Sequence, residues 1–241
     1  MKTGYLLALW IKSPTNMLTM GIKSSKFRVL SVHESNFLFN EFIPMKPLSS
    51  FLLLLTFLFA SCSQNESGLK PIFNGKDLSG WTANVDACWK VKNGILHAAN
   101  DPEQKGDILQ TEKSYRNFIV LADFKFGSGR IDTGIFLRDT KEQIQIGESG
   151  SLKRDMTALP YIPGKGYPIQ VETGTKALKL DDWNTIKVQV TGNTYTTWLN
   201  GTQVMTYDSE TIIPEGPIGI QVHPKREMSV DFRNILAQEL E

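Results

Sequence analysis

Apolar and polar residues alternate through most of the chain after residue 70, a pattern typical of half-buried β-strands. In "NTIKVQV" (184–190), apolar residues take one face of the strand and polar residues take the other. "TYTTWLNGTQVMTY" (194–207) predicts two strands joined at Asn200-Gly201, a dipeptide typical of tight hairpin turns. "NFIVLADFKFG" (117–127) is apolar on both faces for part of its length, which predicts a covered strand inside a sandwich.

Further short strands are predicted at "NGILHA", "GDILQT", "GPIGIQVH" and "MSVDFRNI", separated by Gly, Pro, Asn and Asp. No segment of the sequence shows a sustained helical period. Many short antiparallel strands at this spacing predict an all-β fold, and a two-sheet antiparallel jelly-roll sandwich is the simplest arrangement of them.

The first quarter of the chain has a different character. Residues 45–62 combine Lys46, a short apolar run and small residues before Cys62, which is the layout of a signal peptide. Their end, "FASC", resembles the bacterial lipobox, whose cysteine receives a diacylglycerol, although Phe59 replaces the usual Leu. This layout predicts lipidation at Cys62 and a membrane-anchored, extracytoplasmic protein, facing the periplasm or the outer-membrane surface of a Gram-negative-type bacterium.

A signal of this kind should begin a chain, so residues 1–44 are interpreted as a doubtful upstream extension and Met45 as the true start. The alternative is a genuine N-terminal segment followed by a membrane anchor. Residues 63–70 are interpreted as a polar tether. Residues 71–241 then form the β-sandwich catalytic domain.

Only two cysteines are present among the 241 residues. With Cys62 assigned to lipid, Cys88 has no partner, and no disulfide framework is expected. A disulfide between the two is the alternative.

The charge of the chain bears on whether it binds nucleic acid. The chain is 41% hydrophobic with a formal net charge of +1, and it has no concentrated basic run. This argues against nucleic acid as a main partner. The sequence also has no phosphate loop and no dinucleotide fingerprint.

Three predicted strands carry long hydrogen-bonding side chains opposite their apolar faces. In "TGIFLR", "QIQIG" and "GPIGIQVH" the isoleucines point to the core, so the intervening residues point away. Were these strands neighbours, the outward residues would form a polar floor suited to sugar hydroxyls, because glutamine both donates and accepts. Ordinary solvent-facing strand positions are the alternative. The floor would comprise Arg138, Gln143, Gln145, Gln221 and His223.

An ordered set of motifs resembles the 3-keto-disaccharide hydrolase family, also described as 3-keto-glucoside 1,2-lyase and 3-keto-2-hydroxyglucal hydratase domains. The motifs span residues 71–240: "PIFNGKDLSGW", "WKVKNGIL", "TGIFLR", the Q-x-Q strand, "DDWNTIKVQVTGNTYTTWLNG", "GPIGIQVH" and "VDFRNI". The resemblance implies a concanavalin A-like sandwich of the lectin and glucanase type, an extracytoplasmic location and sugars oxidised at carbon 3. The family commonly has E-x-Q where this chain has Gln143 and Gln145, which puts in doubt any role needing a carboxylate at position 143.

Retaining β-glucanases of this shape use E-x-D-x-x-E, and the matching positions here are Gln143, Gln145 and Glu148. Double displacement needs two carboxylates, so this strand argues against it. A 3-keto sugar removes the need, because the ketone acidifies the proton on carbon 2. A base can then drive elimination of the anomeric substituent, and water can hydrate the resulting enone. This chemistry predicts a lyase, a hydratase or both, with net glycoside hydrolysis.

Candidate catalytic residues follow from these needs. His223 is the first candidate for the base, since imidazole changes protonation near neutral pH, and Glu148 is the next candidate for an acid or a base. Arg138 is the candidate donor to the enolate oxygen, against the alternative of an ion pair with Asp139. A structural or solvated role is the alternative for each. The predicted substrate-binding residues are Gln143, Gln145, Gln221, Lys153, Asp155, Tyr161 and Trp183.

The sequence contains few motifs that indicate a cofactor or a partner. No H-x-H or H-x-x-x-H spacing occurs, so a zinc site of imidazoles is not expected. A divalent metal ion held by carboxylates and amide oxygens is the remaining alternative to having no cofactor. The oxidation at carbon 3 is assigned to a separate oxidoreductase. A non-catalytic carbohydrate-binding sandwich is the alternative function.

Overall fold

The computed structural model describes residues 68–241. The upstream extension, the signal-type segment, Cys62 and most of the tether lie outside the described residues. Within residues 68–241, no helix is long and apolar enough to cross a membrane.

The described residues form fourteen strands, one α-helical turn (α1) and a 3-10 turn at Asp86–Cys88. The elements are β1 Lys70–Pro71, β2 Trp81–Thr82, β3 Trp89–Lys92, β4 Ile95–Ala99, β5 Asp107–Tyr115, β6 Phe118–Gly129, β7 Asp132–Leu137, β8 Gln143–Gly147, β9 Pro160–Tyr161, α1 Thr173–Ala177, β10 Asn184–Thr191, β11 Thr194–Leu199, β12 Thr202–Asp208, β13 Gly216–Val222 and β14 Met228–Glu239.

The strands form two antiparallel sheets, which confirms the predicted sandwich. The first sheet has the order β12-β11-β10-β6-β14-β4-β3, with β1 also paired to β14. The second sheet has the order β2-β5-β13-β7-β8-β9. Because β13, β7 and β8 are neighbours, the three strands expected to share a polar face do lie side by side.

Alternation along the strands builds the core. Ile186, Val188 and Val190 are fully buried on one face of β10, as their spacing predicts. The turn at Asn200-Gly201 has φ of 51° and 81°, the left-handed pair that a two-residue hairpin turn requires. Cys88 is a free thiol in this core, and burial raises its pKa.

The prediction that Arg138 points away from the core and forms part of the polar floor is wrong. Its φ of 63° turns the chain at the end of β7, and its side chain is only 1% exposed. The guanidinium donates to the carbonyl oxygens of Gly192 (2.9 Å), Ile213 (3.1 Å) and Arg116. Because three chain segments converge on this one side chain, Arg138 holds the β7–β8 hairpin in place and lies apart from the polar face.

A second buried charge anchors the same hairpin. The Glu142 carboxylate accepts hydrogen bonds from the hydroxyls of Tyr195, Ser209 (2.8 Å) and Thr211 (2.5 Å), which belong to β11 and the segment after β12. Burial, together with the hydrogen bond to Glu142, raises the pKa of Tyr195 above its usual range. The hairpin of the second sheet is thereby tied to the first sheet immediately before Gln143.

Replacing Glu142 by Ala should lower the free energy of unfolding by about 3 kcal/mol, because the buried hydroxyls of Tyr195 and Ser209 lose their acceptor. The matched control, Glu112→Ala, removes an exposed carboxylate from β5 and should change stability by less than about 0.5 kcal/mol. Chemical denaturation of both variants measures the difference. Equal losses would show that Glu142 does not anchor the hairpin.

Candidate functional site

A cleft of about 560 Å³ lies on the outer face of the second sheet, over β8, β7 and β13. The segment after β8 covers this face, so Gln143 and Gln145 are 6% and 1% exposed, although they point away from the core. The structure brings five predicted site residues into the cleft. They are Gln143, Gln145, Gln221, Tyr161 and His223.

Strand register explains the shape of the floor. Gly134 pairs with Gln145 across β7 and β8, on the same face as the glutamine side chains. A Cβ at Gly134 would lie 2.7 Å from the Ile144 carbonyl oxygen and 2.8 Å from Gln143 Oε1. Any residue with a Cβ at position 134 would therefore have to displace the Gln143 amide and the β8 backbone.

A chain of hydrogen bonds crosses the floor, and one carboxylate sets its direction. Asp132 can only accept, so the Gln145 Nε2 group must face Asp132 Oδ1, at 3.0 Å. Gln145 Oε1 then accepts from Gln143 Nε2 (3.1 Å) and from the Tyr167 hydroxyl (3.0 Å). Gln143 Oε1 remains as a buried acceptor with no hydrogen-bond partner.

Tyr167 is a protonated hydroxyl in the wall of the cleft. Burial raises its pKa to about 12, so the hydroxyl stays a donor through the neutral range. Its ring meets that of Tyr161 edge to face, with centroids 5.3 Å apart. The two tyrosines give the cleft an aromatic wall above a floor of amides.

Three charged or titratable groups meet at one end of the cleft. His223 Nδ1 lies 2.7 Å from the Pro224 carbonyl oxygen, so Nδ1 carries the proton and Nε2 is free in the neutral ring. Nε2 lies 4.0 Å from Asp132 Oδ2, and Arg226 Nε lies 3.4 Å from the same oxygen. Asp132 Oδ2 is buried without a hydrogen-bond partner. This carboxylate is placed to stabilise a proton taken up at Nε2.

Asn100 positions the loop that carries two of these groups. Its Nδ2 donates to the carbonyl oxygens of His223 and Arg226, each at 2.9 Å. Its Oδ1 accepts from the Gly106 backbone amide at 2.9 Å. Because Asn100 follows β4, it links the first sheet to the end of the cleft.

Other predicted site residues lie outside the cleft. Glu148 forms an ion pair with Arg130, and the next residue, Ser149, lines the cleft in its place. Lys153 is exposed. Trp183 packs against the first sheet, with the Arg233 guanidinium carbon 3.9 Å from its ring centroid.

Asp155 lines a separate hollow, which shares no lining residue with the cleft. Its carboxylate accepts from the hydroxyls of Thr157 (2.6 Å) and Thr175 (3.2 Å). Burial raises its pKa. These contacts tie the covering segment together, and they place Asp155 away from the glutamine floor.

Sequence reasoning missed Asp132, Tyr167, Arg226 and Asn100. The alternation that directs Phe136 outward in "DTGIFL" also directs Asp132 outward, so this signal was present in the pattern. The other three lie in segments between strands, where no periodicity marks the direction of a side chain.

The described residues contain no group of three or more His, Cys, Asp or Glu side chains placed to hold a metal ion.

Comparison with known proteins agrees with the motifs and the fold. A family model described as a 3-keto-alpha-glucoside-1,2-lyase-like domain matches residues 68–237, which confirms the resemblance drawn from the motifs. No curated protein matches the chain.

Solved structures share the fold at low identity. Two candidate glycosyl hydrolases from Parabacteroides distasonis ATCC 8503 each have a TM-score of 0.53. The first is 19% identical, and the match covers 73% of this chain and 96% of the chain of that protein. The second is 22% identical, and the match covers 71% of this chain and 99% of the chain of that protein. A structure associated with endo-acting O-glycanases of the human gut microbiota has a TM-score of 0.51 at 11% identity, over 68% and 94%. Likeness at these identities shows the sandwich fold alone.

Replacing Gln145 by Glu should lower the free energy of unfolding by about 2 kcal/mol at neutral pH, because a carboxylate cannot donate to Asp132 and adds a like charge beside it. A carboxyl at position 145 would have a raised pKa in the folded state. The penalty is therefore complete above the folded-state pKa and shrinks as the pH falls from there toward the unfolded-state pKa, because the protonated carboxyl regains a donor.

Denaturation at several pH values measures this penalty, with Gln203→Glu on exposed β12 as the matched control. A penalty that is independent of pH, or equal in the two variants, would contradict the hydrogen-bond direction assigned to the floor.

Proposed function

Because the chain belongs to the 3-keto-alpha-glucoside-1,2-lyase-like family, we propose that it cleaves the glycosidic bond of 3-keto-glycosides by elimination. One observation carries this proposal. The cleft presents a single carboxylate, Asp132, beside His223 and Arg226, on a floor that carries glutamine amides.

A lone carboxylate does not suit ordinary glycoside hydrolysis. Retaining and inverting enzymes both use a pair of carboxyl groups on either side of the bond. Among the described residues that line the cleft, Asp132 is the one acid, and it is 3% exposed and already accepts from Gln145. Chemistry that needs one base and several hydrogen-bond donors fits this arrangement better.

His223 is assigned as the base. Its Nε2 takes the proton from carbon 2, which the neighbouring ketone has acidified. The electron pair of that C–H bond forms the double bond between carbons 1 and 2 as the bond from carbon 1 to the glycosidic oxygen breaks. The leaving oxygen keeps the electron pair of the broken C1–O bond and takes a proton from water. Asp132 Oδ2, 4.0 Å from Nε2, stabilises the imidazolium that results.

Arg226 is assigned the role that the sequence had predicted for Arg138, which is donation to the enolate oxygen. Arg226 Nε faces Asp132, which leaves its terminal N–H groups to donate to the oxygen on carbon 3 as negative charge develops there. The Tyr167 hydroxyl stays protonated and donates its one hydrogen to Gln145 Oε1, so it orients the floor and is not the donor to the leaving oxygen.

The same groups serve hydration of the enone. Water adds at carbon 1 and a proton returns to carbon 2, which yields the free 3-keto sugar. Elimination followed by hydration amounts to hydrolysis without any net oxidation or reduction. The ketone must therefore come from a separate oxidoreductase.

The lipid-anchored, extracytoplasmic location stays a prediction.

The second candidate function is non-catalytic carbohydrate binding. Two floor acceptors, Gln143 Oε1 and Gln221 Oε1, have no hydrogen-bond partner and would bind sugar hydroxyls without any chemistry. The two functions differ in whether His223 is needed for turnover.

The full chain should release methanol from methyl 3-keto-α-glucoside, with transient ultraviolet absorbance of an enone, and none from unoxidised methyl α-glucoside. His223→Ala should lower turnover by about 100-fold or more, because general-base catalysis is lost, while calorimetry shows binding retained.

The matched control is His97→Ala, since His97 pairs with Asp231 on the first sheet, away from the cleft. Release from the unoxidised glucoside would contradict elimination. Equal turnover in the two histidine variants would remove His223 from the mechanism, and saturable binding without release from either compound would favour the binding module.

A further inference from the structure

We propose that the Tyr161 hydroxyl is a further catalytic group, which donates a hydrogen bond to the leaving oxygen as the bond from carbon 1 breaks. This inference rests on the proposed function, because it takes elimination in the cleft as the reaction. In that reaction His223 serves carbon 2 and Arg226 serves the oxygen on carbon 3. Without a further donor, the leaving oxygen has only water to meet the charge that develops on it.

The order of atoms in the substrate decides which end of the cleft must hold this donor. Carbon 2 lies between carbons 1 and 3. A ring that places carbon 3 at Arg226 and carbon 2 at His223 therefore directs carbon 1 away from Arg226. Both groups face Asp132, at the end of the cleft where β7 begins. The leaving oxygen accordingly lies toward the other end, where β8 begins.

Strand register places Tyr161 at that other end. Asp132 pairs with Gly147, the last residue of β8, whereas Gln143, the first residue of β8, pairs with Tyr161 of β9. Cross-strand partners share a face of the sheet, so Tyr161 stands beside Gln143, and both line the cleft. Strands β8 and β7 separate β9 from β13, which makes a width of about 14 Å. A sugar ring with its leaving oxygen fits between Tyr161 and His223 in this space.

The Tyr161 hydroxyl is free to donate. Within residues 68–241 it forms no hydrogen bond, and its side chain is partly exposed in the cleft. Tyr167, the other phenol of the aromatic wall, already donates its hydrogen to Gln145 Oε1 at 3.0 Å. The two tyrosines therefore have different functions, since one orients the floor and the other can donate to a ligand.

Other donors that line the cleft fit this function less well. The hydroxyls of Ser149 and Ser151 lie 3.1 Å apart and form a hydrogen bond with each other. Thr140 and Lys141 lie at the β7–β8 turn and are exposed to solvent. An exposed donor replaces a hydrogen bond that water already provides, so it adds little stabilisation to a charged oxygen.

Tyr161 is also held in place before a substrate binds. Its ring packs edge to face on that of Tyr167, with centroids 5.3 Å apart, and the bond to Gln145 fixes Tyr167 in turn. The next residue, Ile162, is fully buried, and its amide donates to the Gly166 carbonyl oxygen at 2.8 Å. A donor that is already oriented costs no reorganisation when charge develops, which is what transition-state stabilisation requires.

Tyr161 keeps its proton throughout the step. The electron pair of the C1–O bond passes to the leaving oxygen, and the Tyr161 O–H group donates a hydrogen bond to that oxygen. Water then supplies the proton that completes the alcohol. No covalent bond to Tyr161 forms or breaks, so its contribution is to lower the energy of the developing alkoxide.

The test removes this hydroxyl and varies the leaving group. Full-length wild-type and Tyr161→Phe chains are compared on methyl 3-keto-α-glucoside and 4-nitrophenyl 3-keto-α-glucoside. Methoxide is a strong base that needs a donor, whereas 4-nitrophenolate is stable without one near neutral pH. The variant should lose about 100-fold in kcat/KM on the methyl compound and stay within about threefold on the nitrophenyl compound, since only the first needs the donor.

Tyr207→Phe is the matched control, because Tyr207 is also partly exposed and packs on another tyrosine, Tyr195, with centroids 6.0 Å apart. Tyr207 lies on β12, outside the cleft lining, so this variant should keep both values within about twofold of wild type.

Equal losses on both substrates, or no loss on either, would overturn the function assigned to Tyr161, because a purely structural or binding contribution does not depend on the leaving group. These outcomes would leave the elimination proposal standing, since the wild-type chain still turns over. If the wild-type chain releases neither methanol nor 4-nitrophenol, the elimination proposal itself fails, and the function of Tyr161 fails with it.

Discussion

The site depends on one buried carboxylate whose hydrogen bonds run in a single direction. Asp132 can only accept, and this property fixes which end of the Gln145 amide, and through it of the Gln143 amide, donates and which accepts. The same carboxylate faces His223 and Arg226 with an oxygen that has no hydrogen-bond partner. A buried, incompletely satisfied acceptor costs stability in an isolated protein, and such groups concentrate where a ligand or a transferred proton completes the bonding.

The β7–β8 hairpin carries part of this floor, and two buried charged side chains at its turn hold it in place. Arg138 and Glu142 lie at the two ends of the β7–β8 turn and bury their charges among carbonyls and hydroxyls of other segments. Phe136 and Gln143, a short distance along the same strands, line the cleft. The charges of the turn therefore serve the position of the hairpin, and the amides of the adjoining strands are left to meet a ligand.

The sequence predicted regular elements and failed where the chain turns. The period of two placed Gln143, Gln145 and Gln221 on a common outer face, because pleating leaves a side chain little choice of direction. The same rule failed for Arg138, since a left-handed residue ends the strand and redirects the side chain. Tyr167, Arg226 and Asn100 lie outside the strands, and only the three-dimensional path of the chain brings them to the cleft.

The glutamine at position 143 is a consequence of the direction set by Asp132. Gln145 turns its oxygen toward position 143, so the residue there must offer a donor, and Gln143 Nε2 does so at 3.1 Å. A carboxylate at this position would put two acceptors in contact unless it were protonated. The E-x-Q pattern implied by the family resemblance therefore requires either a proton at that position or a different hydrogen-bond direction across the floor. In this chain the amide lets a single carboxylate orient both glutamines of β8, and the one negative charge of the cleft lining remains beside His223, where elimination would need it.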